Sequence, residues 1–459
     1  MISGFLRGLL VNRRVVIAVF CLVCFAGVVQ LSAQQLPAPR APQRVRVTQL
    51  EQLLPNARIV ARRPFKWIVG AQWGLGLKAG ERLLIVGSRM HPWVVRAMAM
   101  AAEEMGVETD VFVQDMAALE QGMGREEFAY ERLDPTQYMV ATGVVRSRAV
   151  PGWLARMVDD YNVVVGFNAR GTSYGKIGKN KQVRSTSMDY LTPEQLASPS
   201  VSYPDELHEI ITMKTWQRLI AGRRFHIHDP RGTDLTFTLD DTNLERFKET
   251  RGQVTYGEPT LEWPLAHEIS LQVEPNLNLR PDARGVIVSH QAGYMPQPIR
   301  VHFDGGQIVK VEGGGQVGEN IREALEESRD VQYPGYYPGP GMGWLEELAL
   351  GTDPKVGPAG PLRRRSGMVQ LAFGSDRYNL VRDTEPTLPT HHRDIDCFYY
   401  VTVEIDGEKL VDRGHLTVLD DLEVRRVASR YGDPDTLLQE DWIPDFDPDT
   451  GRINYPSFE

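Results

Sequence analysis

The chain has 459 residues, of which 42% are hydrophobic, so it is long and apolar enough for two ordinary domains and is not intrinsically disordered. Its formal net charge of -9 argues against a nucleic acid as the main partner, because phosphate binding needs clustered Lys and Arg. The tight basic run "RRRS" at 363–366 is explained by a solvated loop.

The N-terminus predicts export. Three arginines within the first 14 residues precede an uninterrupted apolar run at 15–29, and Ala33 supplies a small residue beyond it. This pattern is typical of a signal peptide, and the run is short for a bilayer-spanning helix, which needs about 20 apolar residues. We predict a signal peptide or N-terminal membrane anchor at 1–34 and a Pro-rich linker at 35–46. The protein would be exported, and periplasmic or anchored facing the periplasm, with this segment as its only membrane contact.

Residues 47–215 predict an N-terminal α/β domain with an open, mostly parallel sheet. A strand at 80–88, an amphipathic helix at 92–106 and a strand at 107–113 come first, and "YNVVVGFN" continues the β/α alternation. The first strand-to-helix turn, "GSRMHP", lacks the glycine-rich phosphate fingerprint, which excludes a dinucleotide site there. The polar segment 172–206 predicts a long excursion or inter-domain connection.

Residues 216–459 predict an α+β metal-binding catalytic domain. The pattern changes to strand, turn and strand, with glycine-marked hairpins at 303–316 and 404–416. His226 and His228 lie two apart on a predicted strand, which is a spacing that permits metal binding. A structural or surface role is the favoured interpretation for this pair.

Candidate metal ligands begin with "HHRDIDCFYYVTVEI" (391–405), which predicts one strand followed by a hairpin turn. In extended chain, residues i and i+2 face the same way, so His392 and Asp394 would share a face. An imidazole beside a carboxylate on a stiff strand suits a divalent metal. The alternative is a polar strand entrance whose charges lie in water.

Other patches in this half carry side chains that could complete such a site. Glu268 follows a Pro-containing turn at the entry to a strand. Glu347, beside Glu346, precedes an apolar step and a glycine turn. Gln370 lies on a predicted strand, and Tyr378 follows a Gly-Ser turn.

The order of these motifs resembles the aminopeptidase T family of metallo-aminopeptidases, which includes leucyl aminopeptidases, with this chain as a divergent exported member. "KAGERLLIV" and "VVRAMAMAAEEMGVE" resemble the opening strand and helix of that family, and the overlap runs from about residue 70 to 416. The turn "PLAHE" stands for the family's Pro-x-Gly-Glu motif, and "EELALGTDP" for its Glu before "LGIGTNP". His392 and Asp394 stand for its H-x-D strand.

The resemblance implies a one- or two-metal site that polarises a peptide carbonyl and activates water, with Zn, Co or Mn as the divalent metal. The implied metal ligands are Glu268, Glu347, His392 and Asp394, and the implied catalytic residues are Glu268, Glu347 and Tyr378. The implied substrate is a peptide or another small molecule. Family members are commonly homodimers, so the aromatic segment 329–343 is either an interface or a rim loop.

The chain departs from the family at two positions. Gln370 stands where the family has a strand histidine, and His267 stands where it has the glycine before the first glutamate. An amide oxygen is a poorer ligand than imidazole for zinc or cobalt, so one metal position would be weakened.

Two alternatives stay open. The chain also resembles the 2,5-dihydroxypyridine ring-cleaving dioxygenases, which hold one Fe(II) with two His and one Asp. In that case His392 and Asp394 would supply two of the three ligands. The other alternative is a catalytically silent exported relative. Metal content separates the three: about two transition metals per chain for the peptidase, one iron for the dioxygenase and none for the silent relative.

Overall fold

The computed structural model describes residues 37–42, 45–65, 74–87, 91–113, 158–167, 182–188, 192–239, 260–261, 268–272, 282–289, 298–333, 337, 339–357, 365–374, 392–398, 400–447 and 453–454. The chain forms two compact units, Met1–Ala38 and Pro39–Glu459. The predicted signal segment at 1–34 lies outside the described residues, and the following description concerns the second unit. Within the described residues, no helix combines the length and the apolar character needed to cross a bilayer.

Seven α-helices and nineteen strands are described, together with 3-10 turns at Leu50–Leu53 and Thr417–Asp420. The helices are α1 (Leu54–Arg62), α2 (Pro92–Glu103), α3 (Pro193–Leu196), α4 (Asp205–Ala221), α5 (Gly315–Glu327), α6 (Leu422–Ala428) and α7 (Pro434–Leu438). The strands are β1 (Arg82–Gly87), β2 (Glu108–Val113), β3 (Val163–Phe167), β4 (Arg184–Met188), β5 (Arg224–His228), β6 (Asp234–Thr238), β7 (Thr260–Leu261), β8 (Glu268–Gln272), β9 (Arg284–Ser289), β10 (Ile299–Asp304), β11 (Gln307–Gly313), β12 (Trp344–Gly351), β13 (Val369–Gly374), β14 (His392–Phe398), β15 (Thr402–Ile405), β16 (Glu408–Asp412), β17 (His415–Leu416), β18 (Asp445–Phe446) and β19 (Ile453–Asn454).

A small parallel sheet contains the first strands of the chain in the order β2-β1-β3-β4-β7. Leu83, Leu84 and Ile85 of β1 are all buried, as expected for a parallel strand that is covered on both faces. The predicted parallel sheet is therefore present. The prediction of an excursion over 172–206 is wrong, because β4 lies within it. The sequence of β4, "RSTSM", has no apolar alternation that would reveal a strand.

A large antiparallel sheet contains twelve of the described strands. Its order is β14-β13-β12-β11-β10-β9-β6-β5-β15-β16-β17, and β8 pairs with β12 outside this path. Both predicted glycine hairpins are present. Gly305 and Gly306 (φ 61° and 85°) join β10 to β11, and Asp406 and Gly407 (φ 51° and 89°) join β15 to β16. Two consecutive positive φ angles are what a tight two-residue hairpin requires.

The main hydrophobic core lies between this sheet and α4. Leu207, Ile211 and Leu219 of α4 pack with Phe225 and Ile227 of β5 and with the inward residues of the other strands. The helix spans the domain boundary predicted at 215/216, and β7, from beyond that boundary, pairs with β4 of the parallel sheet.

The single strand predicted after residue 391 is divided into β14 and β15. Tyr400, between them, has a φ of 59°, and its buried hydroxyl donates to the carbonyl of Pro444. A left-handed tyrosine is uncommon and interrupts an extended strand. As a result β14 lies at one end of the strand order and β15 close to the other end. The apolar run "FYYV" gave no sign of this interruption.

Candidate functional site

Strands β12 and β13 have two chemically different faces. Leu348 and Leu350 of β12, with Leu371 and Phe373 of β13, belong to the main core. Alternate residues of a strand point to opposite faces, so the intervening residues lie on the second face. The small residues among them are Ala349, Ala372 and Gly374. This second face combines small residues with the acidic and amide positions that the sequence analysis selected.

The strand register brings Glu347 and Asp394 into one row. Ala372 of β13 is paired with Glu347 on one side and with Asp394 of β14 on the other. On the far side of Glu347, the row continues to Gln272 of β8. Neighbouring strands are about 4.8 Å apart, so the two acidic positions are separated by roughly 10 Å across the sheet, with Ala372 as the paired residue between them.

His392 and Glu268 lie at different levels of the same face. His392 is paired with Gly374, two residues along β14 from Asp394. Glu268 is paired with Gly351, four residues along β8 from the row. At about 3.4 Å per residue, His392 is roughly 7 Å from the row along the strands, and Glu268 is roughly 14 Å from it in the opposite direction. The backbone thus places Glu347 and Asp394 in one row on either side of β13, with His392 beyond one side of the row and Glu268 at the margin on the other.

Gln370 has a buried amide oxygen without a partner. The residue is paired with Ala349 and lies on the same face as Ala372. Its side chain is only 5% exposed, and its Oε1 accepts no hydrogen bond from the residues described. An unsatisfied buried polar atom costs about 1–3 kcal/mol, and a bound ion or water molecule commonly satisfies such an atom. Amide oxygens are ligands of hard divalent cations, so Gln370 offers an oxygen donor for such an ion.

The structure separates the roles of the adjacent glutamates. The pairing of β12 with β13 shifts between Leu345 and Glu347, which makes Glu346 the extra residue of a bulge. Glu346 is fully buried and accepts a hydrogen bond of 2.5 Å from the hydroxyl of Tyr337. Tyr337 also packs against the ring of Trp344. The bulge leaves Glu346 in this aromatic cluster, whereas Glu347 is in register with the row.

The turn after β12 is tied to the C-terminal helices. The carboxylate of Asp353 accepts the backbone N–H of Lys355 at 2.7 Å and the hydroxyl of Ser200 at 2.5 Å. The buried ammonium of Lys355 donates to the carbonyls of Thr436 and Gln439 at 2.9 and 2.8 Å. These bonds fix the end of the strand that carries the acidic row.

A second group of metal-ligand type lies on the other half of the large sheet. Ligand atoms of His226, His228 and Glu404 all lie within 4.8 Å of one another. Glu404 of β15 is paired directly with His226 of β5, and the carboxylate of Asp234 on β6 is 2.9 Å from His226 Nε2. The sequence analysis found the two histidines but favoured a surface role. It missed Glu404, which comes from a strand far away in sequence.

Several residues of the sequence analysis fall outside the described part of the chain. Tyr378 is one, and His267 is another, so neither is placed relative to the acidic row. In the segment 329–343, Tyr333 and Tyr337 are buried in the chain itself.

No family model and no curated protein matches the chain. Among solved structures, it is similar to 2,5-dihydroxypyridine dioxygenase from Pseudomonas putida, with 14% identity and a TM-score of 0.46, covering 81% of this chain and 98% of that one. It is also similar to wild-type AmpT from Thermus thermophilus, with 15% identity and a TM-score of 0.43, covering 80% of this chain and 99% of that one. At these values, neither likeness assigns an activity or a ligand set to this chain.

Proposed function

We propose that the chain is a metal-dependent hydrolase of the aminopeptidase type, whose site lies on the second face of β8, β12, β13 and β14. The observation that carries this proposal is the buried Oε1 of Gln370, which has no partner among the described residues and lies on the face that bears the row of Glu347 and Asp394. An acidic row next to an unsatisfied amide oxygen provides a donor set for a divalent cation.

The proposed donors around the row are the carboxylates of Glu347 and Asp394, the amide oxygen of Gln370 and the imidazole of His392. The carboxylate of Glu268 is the outermost proposed donor, because it lies four residues from the row on the side opposite His392. Four of these five donors are oxygens, and oxygen-rich sets suit Mn²⁺ better than they suit zinc. When bound, such a metal polarises a carbonyl group and lowers the pKa of a bound water molecule. Manganese is therefore the first metal to test, with zinc and cobalt after it.

We assign the roles of base, metal ligands and site boundary to individual residues as follows. Glu347 is the proposed general base. It is the acidic residue of the row on β12, and the neighbouring bulge at Glu346 fixes the register of that strand. Asp394 and His392 would hold the ion from β14. Trp344 is paired with Gly374 on the same face and would bound the site with an apolar surface. Tyr378 remains a proposed assisting residue.

The test of this proposal is hydrolysis of a panel of amino-acid and peptide amides by the purified mature chain, loaded separately with Mn²⁺, Zn²⁺ and Co²⁺. We expect activity with at least one metal, and a loss of at least 100-fold in Glu347→Gln, since removing a general base costs about 10²–10⁴ in rate. Asp394→Asn should also lose activity, because it removes a proposed metal donor. A folded, metal-loaded protein that hydrolyses none of the panel would contradict the proposal.

The same experiment tests the dioxygenase alternative. Among the described residues of β8, β12, β13 and β14, His392 is the one histidine, so these strands do not supply the two imidazoles of a His₂-carboxylate iron site. Oxygen uptake with 2,5-dihydroxypyridine by the Fe(II)-loaded chain, without amide hydrolysis, would favour that alternative over the hydrolase.

The proposal also covers the location and the assembly of the protein. The predicted signal segment supports an exported enzyme, periplasmic or anchored, that acts on small peptides. A homodimer is the proposed assembly. Fusion of residues 1–46 to a periplasm-dependent reporter tests export, and sedimentation of the mature chain tests the dimer.

A further inference from the structure

We propose that His226, His228 and Glu404 form a second, independent zinc site on the large sheet. The group shares no strand with the acidic row: β11, β10, β9 and β6 separate β12 from β5 in the strand order. The observations that support this zinc site are therefore independent of those that support the proposed hydrolase site.

The three ligands are held by a rigid part of the sheet. His226 and His228 occupy alternate positions of β5, and Glu404 lies on the adjoining strand β15. The other face of these strands is packed into the main core, where the rings of Phe225 and Phe237 stack at 4.9 Å. Ligands on strands with a packed reverse face keep their spacing better than ligands on loops.

The distances fit tetrahedral coordination. His226 Nδ1 is 3.6 Å from Glu404 Oε2, and His228 Nε2 is 3.9 Å from Glu404 Oε1. Two ligands at about 2.1 Å from a tetrahedral ion are about 3.4 Å apart, so small side-chain adjustments would place all three around one zinc ion. Both imidazole–carboxylate separations are too long for a direct hydrogen bond.

Asp234 forms with His226 the hydrogen bond that metal-binding histidines usually make to a carboxylate. Its Oδ1 lies 2.9 Å from His226 Nε2, so this ring nitrogen carries the proton and donates to the carboxylate. The other ring nitrogen, Nδ1, faces the oxygens of Glu404, and in a neutral imidazole it is the nitrogen left to bind a metal. Metal-binding histidines usually donate their other N–H to a carboxylate in this way. A metal ion placed between Nδ1 and the carboxylate would be bound from both sides of this 3.6 Å separation.

The site is accessible, and Glu404 has no ion pair with a lysine or arginine of the described residues. The side chains of His226 and His228 are 39% and 41% exposed. Within the described residues, no lysine or arginine forms an ion pair with Glu404. Lys409, its cross-strand neighbour on β16, pairs with Asp412 at 3.1 Å. Three protein ligands with solvent above them leave a fourth position for water, as in zinc sites with an open coordination position.

The experiment is a zinc titration by calorimetry, with metal analysis of each protein after desalting. We expect His228→Ala to bind one Zn²⁺ fewer than the wild type. Asp394→Asn is expected to keep this zinc, whatever happens at the acidic row. Asp234→Asn should retain the stoichiometry but bind about 10–100-fold more weakly, because it loses only the orienting carboxylate.

The matched control is His302→Ala. His302 is also a half-buried strand histidine, 2.8 Å from the carboxylate of Glu312 on the neighbouring strand, but it belongs to no described three-ligand group. Its replacement should leave zinc binding unchanged. His228→Gln, which keeps the size of the side chain, replaces His228→Ala if the latter does not fold. If folded His226→Ala and His228→Gln both bind as much zinc as the wild type with the same affinity, the proposed site does not exist.

Discussion

Glu347 and Asp394 stand on the two strands that flank β13, both in register with Ala372. Their positions are fixed by the sheet and not by a loop. Leu345 and Leu348 both belong to the main core although they are three residues apart, because Glu346 is the extra residue of a bulge. Position 347 therefore lies on the opposite face of β12. If Glu346 were a regular strand residue and not a bulge, the alternation would reverse from that point and position 347 would lie on the core face.

The acidic row should control metal content. We expect Glu347→Gln and Asp394→Asn each to lower the Mn²⁺ affinity of the purified chain at least 10-fold, because each removes an anionic donor. Glu268→Gln should have a smaller effect, since Glu268 lies four residues from the row. Equilibrium dialysis with metal analysis measures these affinities.

The control for this prediction is Asp304→Asn, which neutralises an exposed carboxylate at the end of β10 that pairs with Arg284. It should leave the affinity for Mn²⁺ unchanged. Equal losses in all the variants would point to non-specific binding by an acidic surface.

The amide of Gln370 should reduce the stability of the metal-free protein. We expect Gln370→Met to raise the free energy of unfolding by about 1–2 kcal/mol in chelator, since it removes a buried acceptor that lacks a partner. Gln307→Met is the matched control. The amide of Gln307 donates to the carbonyls of Pro340 and Met342, so its loss should destabilise by about 1 kcal/mol. Urea unfolding measures both, and destabilisation by Gln370→Met would show that this amide is satisfied.

The sequence predicted those elements whose signal is local. Apolar runs revealed β1 and β3, and the Asp406-Gly407 pair revealed its hairpin, because φ/ψ requirements are readable from residue type. At the interruption, Tyr400 is hydrogen-bonded to Pro444, a residue 44 positions away whose proximity only the folded chain provides. The partnership of Glu404 with the histidines of β5 depends on strand order for the same reason. H-x-H and H-x-D spacing can indicate half of a metal site, but not its third ligand.

His415 should make the stability of the protein depend on pH. Its Nδ1 lies 3.1 Å from Glu440 Oε2, and its Nε2 lies 2.9 Å from Asp420 Oδ2. Burial alone would lower the pKa of His415, but these two carboxylates overcome that effect and raise the pKa from 6.5 to about 9. Burial likewise works against the charged form of Glu440, and its bond to His415 keeps the pKa of this carboxyl below the ordinary value.

The sign of the effect follows from proton uptake. The folded chain keeps the His415 proton up to about pH 9, whereas the unfolded chain loses it near pH 6.5. The contribution of His415 is therefore complete below pH 6.5 and is lost as the pH rises to about 9. Urea unfolding across this range should show the decline in the wild type and a flatter profile in His415→Gln. An unchanged slope in His415→Gln would contradict the prediction.

Two glycines with similar backbone angles should differ strongly in their tolerance of alanine. Gly407, in the hairpin turn, has a φ of 89° and nothing within 4 Å of an added Cβ. Gly367, just before β13, has a φ of 75°, and an added Cβ would lie 2.1 Å from the carbonyl oxygen of Gly414. Alanine at Gly407 should therefore destabilise by about 1 kcal/mol, which is the penalty of the left-handed conformation alone. Alanine at Gly367 should destabilise by about 1–3 kcal/mol more than alanine at Gly407, because the backbone of the β16–β17 turn must move.

That movement would be transmitted to β13, so Gly367→Ala should also weaken Mn²⁺ binding while Gly407→Ala does not. Chemical denaturation and equilibrium dialysis of the two variants check both statements, and equal values for the pair would show that the close approach to Gly414 is relieved without loss.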